Sequence, residues 1–199
     1  MEYSRILKEI YEEIQPYAQE GKPASYIPEL LKVNPDRYGI CLRTIEGKEY
    51  AQGDSDERFA VQSISKVFSL AMSFGRIGNE LWKRIDRIGV EPSGNAFNSI
   101  FQLEMEKGIP RNPLINAGAL VMADVLLSVL EYPEREYLSF VRKLCGNDTI
   151  QYNESMAASE REYGYLNAAI TNILKYHGNI ENDIERVLRF YFRQCSIGM

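Results

Sequence analysis

Strand-like segments occur only between residues 38 and 61 of this chain, whereas helical patterns occupy most of the remaining sequence. Tyr38–Thr44 and Glu49–Gln52 flank a turn at residues 46–48, and Arg58–Val61 is predicted as a third short strand. A few early strands followed by helices are typical of an α+β fold, in which helices pack against a small antiparallel sheet. A chain of 199 residues can bury one substantial core. We therefore predict a single, mostly helical α+β domain over residues 1–199.

The helices are predicted from the spacing of apolar residues and from residues that begin or end helices. The predicted helical segments are residues 3–15, 26–31, 63–75, 98–106, 116–130, 133–145 and 153–173, with a last helix from Ile184 onward. Asn153 or Ser155, and Asn182 or Asp183, are the predicted N-caps of the last two helices. The irregular segment 89–113 is rich in Gly, Pro, Asn and Ser, and long segments of this kind are often functional.

Composition places the chain among globular proteins and offers no indication of a nucleic-acid or membrane partner. Apolar residues make up 45% and charged residues 26% of the sequence, and the net charge is −5. No apolar run is long enough for a membrane span, and the charged N-terminus does not resemble a signal peptide. Cys41, Cys145 and Cys195 are too scattered for a disulfide framework or a zinc site. We expect a cytoplasmic protein without a metal or cofactor.

The chain contains a single histidine, His177, which narrows the hydrolytic chemistry available to it. A Ser-His-Asp triad or a multi-histidine metal site has little room in such a sequence. His177 itself lies where a helix is predicted to end, so a C-cap role is favoured. Hydrolysis by this chain would therefore need a base other than histidine.

Ser63 and Lys66 supply a hydroxyl and an amine three residues apart, at the predicted transition from a strand to a helix. Residues at this spacing lie on one face of a helix. A serine hydroxyl becomes a good nucleophile when a base takes its proton, and a desolvated lysine can be that base. The pair alone also occurs on solvated helix surfaces, but the apolar residues that follow, through Met72, favour a buried lysine. The same spacing occurs in serine acyl-transfer enzymes of the β-lactamase type.

Five segments in this order resemble the bacterial-type glutaminases, serine-dependent enzymes with a β-lactamase/transpeptidase-like fold. They are GKPASYIPEL (21–30), FAVQSISK (59–66), IPRNPLINAGA (109–119), SERE (159–162) followed by Asn167, and FYFRQCS (190–196). The segments span nearly the whole chain, and together they are far more specific than any one of them.

The resemblance implies hydrolysis of L-glutamine to L-glutamate and ammonia through a serine acyl-enzyme. Ser63 would be the nucleophile, Lys66 its proton-accepting partner and Tyr191 a further catalytic residue. The substrate pocket would be lined by Tyr26, Ser63, Asn116, Glu160, Asn167 and Tyr191. The family also implies a homo-oligomer, for which Trp82 or Tyr137 could provide surface aromatic contacts.

The pocket residues suit a free amino acid, although each has a structural interpretation when it is taken alone. Glu160 is suited to the substrate ammonium, and the asparagines and tyrosine hydroxyls to the carboxylate. Taken alone, Glu160 is typical of a solvated helix surface, Asn116 of a helix N-cap, and tyrosines such as Tyr26 and Tyr191 of a core. Asn167 lies in an apolar stretch, so a ligand contact and a structural contact are equally favoured.

The sequence departs from the family pattern at its end. Residues 195–199 fall within what we expect to be a continuing helix, and family members extend further. We expect the sheet to lack its C-terminal strands, and the site to lack a further tyrosine and a second oxyanion donor. The chain alone is then expected to have little or no glutaminase activity. Two alternatives remain: an acyl-transfer enzyme acting on β-lactams or peptides, and a non-catalytic binding fragment.

Overall fold

The computed structural model describes residues 2–83 and 87–199. It divides into two compact units, the first reaching Phe59 and the second running from Ala60 to Met199. The prediction of one domain over residues 1–199 stays a prediction.

The first unit packs a helix against a β-hairpin. Its elements are helix α1 (Tyr3–Ile14), 3-10 turns at Gln15–Glu20 and Pro28–Lys32, and the antiparallel strands β1 (Gly39–Arg43) and β2 (Glu49–Gly53). Tyr11 of α1 stacks on Tyr38, with ring centroids 5.2 Å apart. Gly53 has a φ of +65°, and a Cβ at this position would lie 2.4 Å from the Tyr11 ring. Only glycine therefore fits where the hairpin meets α1. The predicted helix and hairpin are confirmed, whereas the predicted helix at residues 26–31 is a 3-10 turn.

The second unit is mostly helical. Its elements are α2 (Ser65–Ile77), α3 (Glu80–Lys83), α4 (Ile100–Met105), α5 (Asn116–Val129), α6 (Pro133–Cys145), β3 (Gln151–Tyr152), α7 (Glu154–Tyr163), α8 (Tyr165–Tyr176), α9 (Ile184–Cys195) and β4 (Ile197–Gly198). Helix α5 is at the centre, because every residue from Ala117 to Leu127 is buried and the helix contacts α2, α8 and α9. A helix whose residues are mostly apolar on all sides is stable only in such a buried position.

The helix boundaries follow local capping chemistry. Asn153 caps α7 by accepting a hydrogen bond from the Met156 N–H at 3.0 Å, and Asp183 caps α9 by accepting one from the Arg186 N–H at 3.0 Å. Each is one of the two N-caps predicted for its helix. His177 is the C-cap residue of α8, which confirms the prediction from its sequence position.

The single helix predicted over residues 153–173 is wrong, because α7 ends at Tyr163 and α8 begins at Tyr165. A Cβ on the intervening Gly164 would lie 2.4 Å from the Glu160 carbonyl oxygen and 2.5 Å from the Phe192 ring. The close approach of α9 at this point therefore requires glycine. As a result, Glu160 and Asn167 project from two separate helices.

Two predictions about the strands are also corrected. Arg58–Val61 is not a strand; only Ala60 bridges Gly198, and the Val61 N–H donates to the Ile197 carbonyl at 2.9 Å. The last helix does not continue past Cys195, because Ile197–Gly198 turns away to pair with β3. The described part of the chain thus contains two separate two-stranded antiparallel ladders. The predicted fold class, mostly helical α+β with little antiparallel sheet, is confirmed.

A buried ion pair fixes α5 to the segment that precedes α9. The Asp124 side chain is fully buried, and it accepts a hydrogen bond of 2.6 Å from Arg87. The backbone N–H groups of Glu181 and Asn182 also donate to it. Burial by itself raises the pKa of Asp124, but the bonds from Arg87 and from this segment outweigh it and lower the pKa.

Candidate active site

The predicted nucleophile lies in a 3-10 turn, Gln62–Ile64, immediately before α2. Ser63 therefore precedes the α-helix rather than lying within it, and it is exposed to solvent. Gln62 has a φ of +46°, the left-handed region that a non-glycine residue occupies at a cost of about 1–3 kcal/mol. Strained backbone of this kind is frequent where a side chain must be held for chemistry.

Lys66 lies one turn later and is only 3% exposed. Its Nζ donates to the Asn116 Oδ1 at 2.8 Å and lies 5.5 Å from the centre of the Phe97 ring. Burial lowers the pKa of Lys66, and the neighbouring Cys195 acts in the opposite direction. The interpretation of this lysine as a solvated surface residue is therefore wrong.

No hydrogen bond joins Ser63 to Lys66 anywhere in residues 2–83 and 87–199, because the amine is directed toward Asn116. Bonds between catalytic groups are often long before substrate is bound and tighten only in the complex. The structure brings the two residues into consecutive turns. Proton transfer between them stays a prediction.

Asn116 and Asn167 extend the polar chain that begins at Lys66. The Asn116 Nδ2 donates to the Asn167 Oδ1 at 3.0 Å, which links the first turn of α5 to α8. Asn116 is the first residue of α5, and the N-cap is Ile115. The N-cap interpretation of Asn116 is therefore wrong, and its side chain instead hydrogen-bonds to Lys66 and Asn167.

Glu160 of α7 is 3% exposed and forms no ion pair with any residue that the structure describes. Burial raises its pKa to about 7, and an interaction with the Gln62 side chain offsets part of the increase. The interpretation of Glu160 as a solvated surface residue is wrong. A buried carboxyl without a cation is suited to bind a ligand that carries one.

Helix α9 contributes Tyr191, which is 3% exposed, and Cys195, which is 4% exposed. The Cys195 Sγ lies 3.8 Å from the Ser65 Oγ and also interacts with Tyr191. Sequence reasoning did not select Cys195. The signal was available, because positions 191 and 195 are four apart and share one face of a helix.

Two buried hydroxyl groups form hydrogen bonds with the backbone in the first turn of α2. The Tyr137 hydroxyl donates to the Ser65 carbonyl at 2.8 Å, and the Ser69 hydroxyl donates to the same oxygen at 3.0 Å. Tyr137 is fully buried, so the prediction that it marks a surface interface is wrong. The side chain of Trp82, the other aromatic predicted for that role, lies outside the described residues.

Tyr26 belongs to the first unit and is 58% exposed, just before the Pro28–Lys32 turn. Its place in the substrate pocket stays a prediction. The structure thus brings together Lys66, Asn116 and Asn167 by hydrogen bonds, and places Ser63 one turn before Lys66.

The described residues offer no group of three or more His, Cys, Asp or Glu side chains that could hold a metal ion. Among these residues, no helix combines the length and the apolar character that crossing a membrane requires.

Comparison with known proteins gives a family. Residues 21–199 match the sequence profile of the family described as Glutaminase. The glutaminase of Christiangramia forsetii is 51% identical over 199 residues, which cover all of this chain and 64% of that protein. The glutaminase of Aliarcobacter butzleri is 46% identical over 200 residues, covering all of this chain and 65% of the relative. The chain spans just under two thirds of the length of these relatives.

Solved structures give the same result. The probable glutaminase of Bacillus subtilis superimposes with a TM-score of 0.83 at 33% identity, covering 98% of this chain and 60% of that one. A Bacillus glutaminase crystallised in 4.3 M NaCl gives a TM-score of 0.82 at 32% identity, covering 98% of this chain and 61% of that one. The chain therefore belongs to the glutaminase family.

Proposed function

We propose that this protein hydrolyses the side-chain carboxamide of L-glutamine to L-glutamate and ammonia, through an acyl-enzyme on Ser63. The observation that carries the proposal is the presence of two buried ionisable groups, an amine and a carboxyl, that have different tasks. Lys66 is hydrogen-bonded to Asn116 one turn after the nucleophile, whereas Glu160 is buried and forms no ion pair with any of the described residues. The names of the relatives support the same reaction.

The proposed reaction begins when Lys66 Nζ takes the proton of the Ser63 hydroxyl. The Ser63 Oγ then bonds to the carboxamide carbon, and the carbon–nitrogen bond breaks as the lysine returns the proton to the leaving nitrogen. Ammonia departs and leaves a γ-glutamyl ester on Ser63. A water oxygen then bonds to the ester carbon while the same amine takes a proton from the water, and the amine returns that proton to the Ser63 Oγ as the carbon–oxygen bond breaks, which releases glutamate and restores the Ser63 hydroxyl. The burial that lowers the pKa of Lys66 supports its role as the base.

We propose that Glu160 binds the substrate ammonium and that Asn167, with Tyr191 and Tyr26, binds the carboxylate. The Asn167 Oδ1 is occupied by Asn116, and its Nδ2 donates to no acceptor within residues 2–83 and 87–199. This leaves an uncharged donor for a carboxylate. Groups of this kind reject analogues that cannot satisfy them by large factors.

The family match runs across both compact units, which supports a single functional domain over residues 1–199. We also propose a cytoplasmic location, supported by the three unpaired cysteines. A homo-oligomer is proposed on the family resemblance alone.

The proposed function is tested by measuring ammonia release from L-glutamine together with calorimetric binding of the same amino acid. We expect L-glutamine to bind to the wild-type chain. Any ammonia release that the wild-type chain shows should disappear in Ser63→Ala. Glutamine acetylated on its α-nitrogen should bind at least about 10²-fold more weakly, because it cannot pair with Glu160. Equal binding of the acetylated compound, the absence of both binding and release, or preferential labelling by a penicillin-type probe would contradict the proposal.

A further inference from the structure

Cys195 lies at the centre of the second unit's polar cluster, although the proposed reaction gives it no task. Its thiol contacts the Ser65 hydroxyl of α2 at 3.8 Å, and it interacts electrostatically with Lys66 and with Glu160. Tyr191, one turn earlier on α9, contributes a hydrogen bond to the same thiol. The side chain is 4% exposed, so the thiol is almost completely shielded from solvent.

Two of the groups near Cys195 have different tasks in the proposed function: Lys66 accepts a proton, and Glu160 binds the substrate ammonium. Lys66 of α2, Glu160 of α7 and the Tyr137 hydroxyl of α6 lie within electrostatic range of the thiol, and Tyr191 hydrogen-bonds to it from the same helix. Burial raises the pKa of the Cys195 thiol to about 12, so it carries no charge at neutral pH. No ion pair joins Lys66 to Glu160 in the described part of the chain.

A charged side chain at this position would disable one of the two groups. A carboxylate would pair with Lys66 and hold its proton, which removes the base. A cation would pair with Glu160 and occupy the site meant for the substrate ammonium. A smaller apolar side chain would leave a gap lined by Ser65 and Tyr191, polar enough to admit water beside the amine.

We propose that Cys195 is a positioning residue of this site, whose small uncharged thiol keeps charge and water out of the space beside Lys66 and Glu160. The inference rests on the proposed function, because it explains how the amine stays a base while the carboxyl stays free for the substrate.

The test compares two variants of nearly equal shape, Cys195→Asp and Cys195→Asn, in the full chain. One readout is the pH at which acylation of Ser63 by the γ-para-nitrophenyl ester of L-glutamate is half-maximal. The other is the titration midpoint of Lys66, followed by NMR with lysine labelled at Cε. The Lys66 resonance is identified by its loss in Lys66→Met.

We expect Cys195→Asp to raise both midpoints by about one pH unit or more, and so to slow acylation at pH 7 about ten-fold or more. Cys195→Asn should leave both midpoints near their wild-type values, even if acylation is slower. Equal midpoints in the two variants would overturn the proposal.

Should the aspartate variant not fold, as judged by circular dichroism, a second pair decides the question. Cys195→Ala should raise the Lys66 midpoint because water enters, whereas Cys195→Ser, which is uncharged and fills the space, should not. An unchanged midpoint in Cys195→Ala would overturn the proposal. The NMR titration also separates the two claims, because it reports on Lys66 even if the wild-type chain shows no acylation and the proposed function fails.

Discussion

Replacement of Lys66 with methionine is expected to slow acylation of Ser63 by about 10²–10⁴-fold, the range that a general base contributes. Methionine has similar length and no proton-accepting nitrogen, and the lysine it replaces is 3% exposed and already desolvated. The rate is measured by intact-mass spectrometry after mixing with the γ-para-nitrophenyl ester of L-glutamate. Removal of a buried amine should leave the melting temperature unchanged or raise it.

Lys66→Arg separates the two ways in which this lysine could act. Arginine keeps the positive charge but does not lose its proton in proteins. If Lys66 is the base, the arginine variant should be about as slow as the methionine variant. An arginine variant that recovers most of the wild-type rate would show that charge, and not proton transfer, is what the reaction needs.

Replacement of Glu160 with glutamine is expected to weaken calorimetric binding of L-glutamine and L-glutamate by about 10²-fold or more. The variant keeps the shape and hydrogen-bonding capacity of the side chain but removes the charge that we assign to the substrate ammonium. Binding of α-N-acetylglutamine, which has no ammonium, should change much less. Equal losses for both ligands would assign Glu160 a structural role.

The pH dependence of binding follows from the pKa of about 7 at Glu160. The Glu160 carboxylate forms as the pH rises through 7, so substrate binding should strengthen as the pH rises through this range. Below pH 7 the carboxyl is protonated, so binding should release a proton from Glu160. Glu160→Gln should abolish both effects, which calorimetry in buffers of different ionisation enthalpy measures.

Stability provides the control for the same variant. The pKa of Glu160 is higher in the folded protein, about 7 compared with 4.5, so folding is weakened as the pH rises from about 4.5 through 7. Glu160→Gln removes this penalty, which is on the order of 3 kcal/mol. The variant should therefore be at least as stable as the wild type above pH 7, and thermal unfolding decides this.

The parts of the fold that were predicted correctly depend on local patterns. The apolar run of α5, the N-cap role of Asp183 and the C-cap role of His177 are all set by neighbouring residues. The break at Gly164 was missed because the helical period continues across it, and the need for glycine comes from Phe192, which is distant in sequence. The end of α9 was missed because it depends on pairing with β3.

The candidate site shows the same division. The apolar residues that follow Lys66, through Met72, are a local feature, and they were sufficient to favour a buried amine, which the structure confirms, whereas the exposure of Ser63 was not predicted. The burial of Glu160 could not be derived from its charged neighbours in sequence, since it results from the packing of α7 against α9. Cys195 required knowledge of which face of α9 meets α2.

Peptide mapping after brief exposure to the γ-para-nitrophenyl ester of L-glutamate tests the central claim most directly, because it identifies the atom that attacks. The account predicts one γ-glutamyl group per chain, on the peptide that contains Ser63, and none on that peptide in Ser63→Ala. Equal modification of the Ser63→Ala variant, or a γ-glutamyl group confined to another side chain, would contradict it.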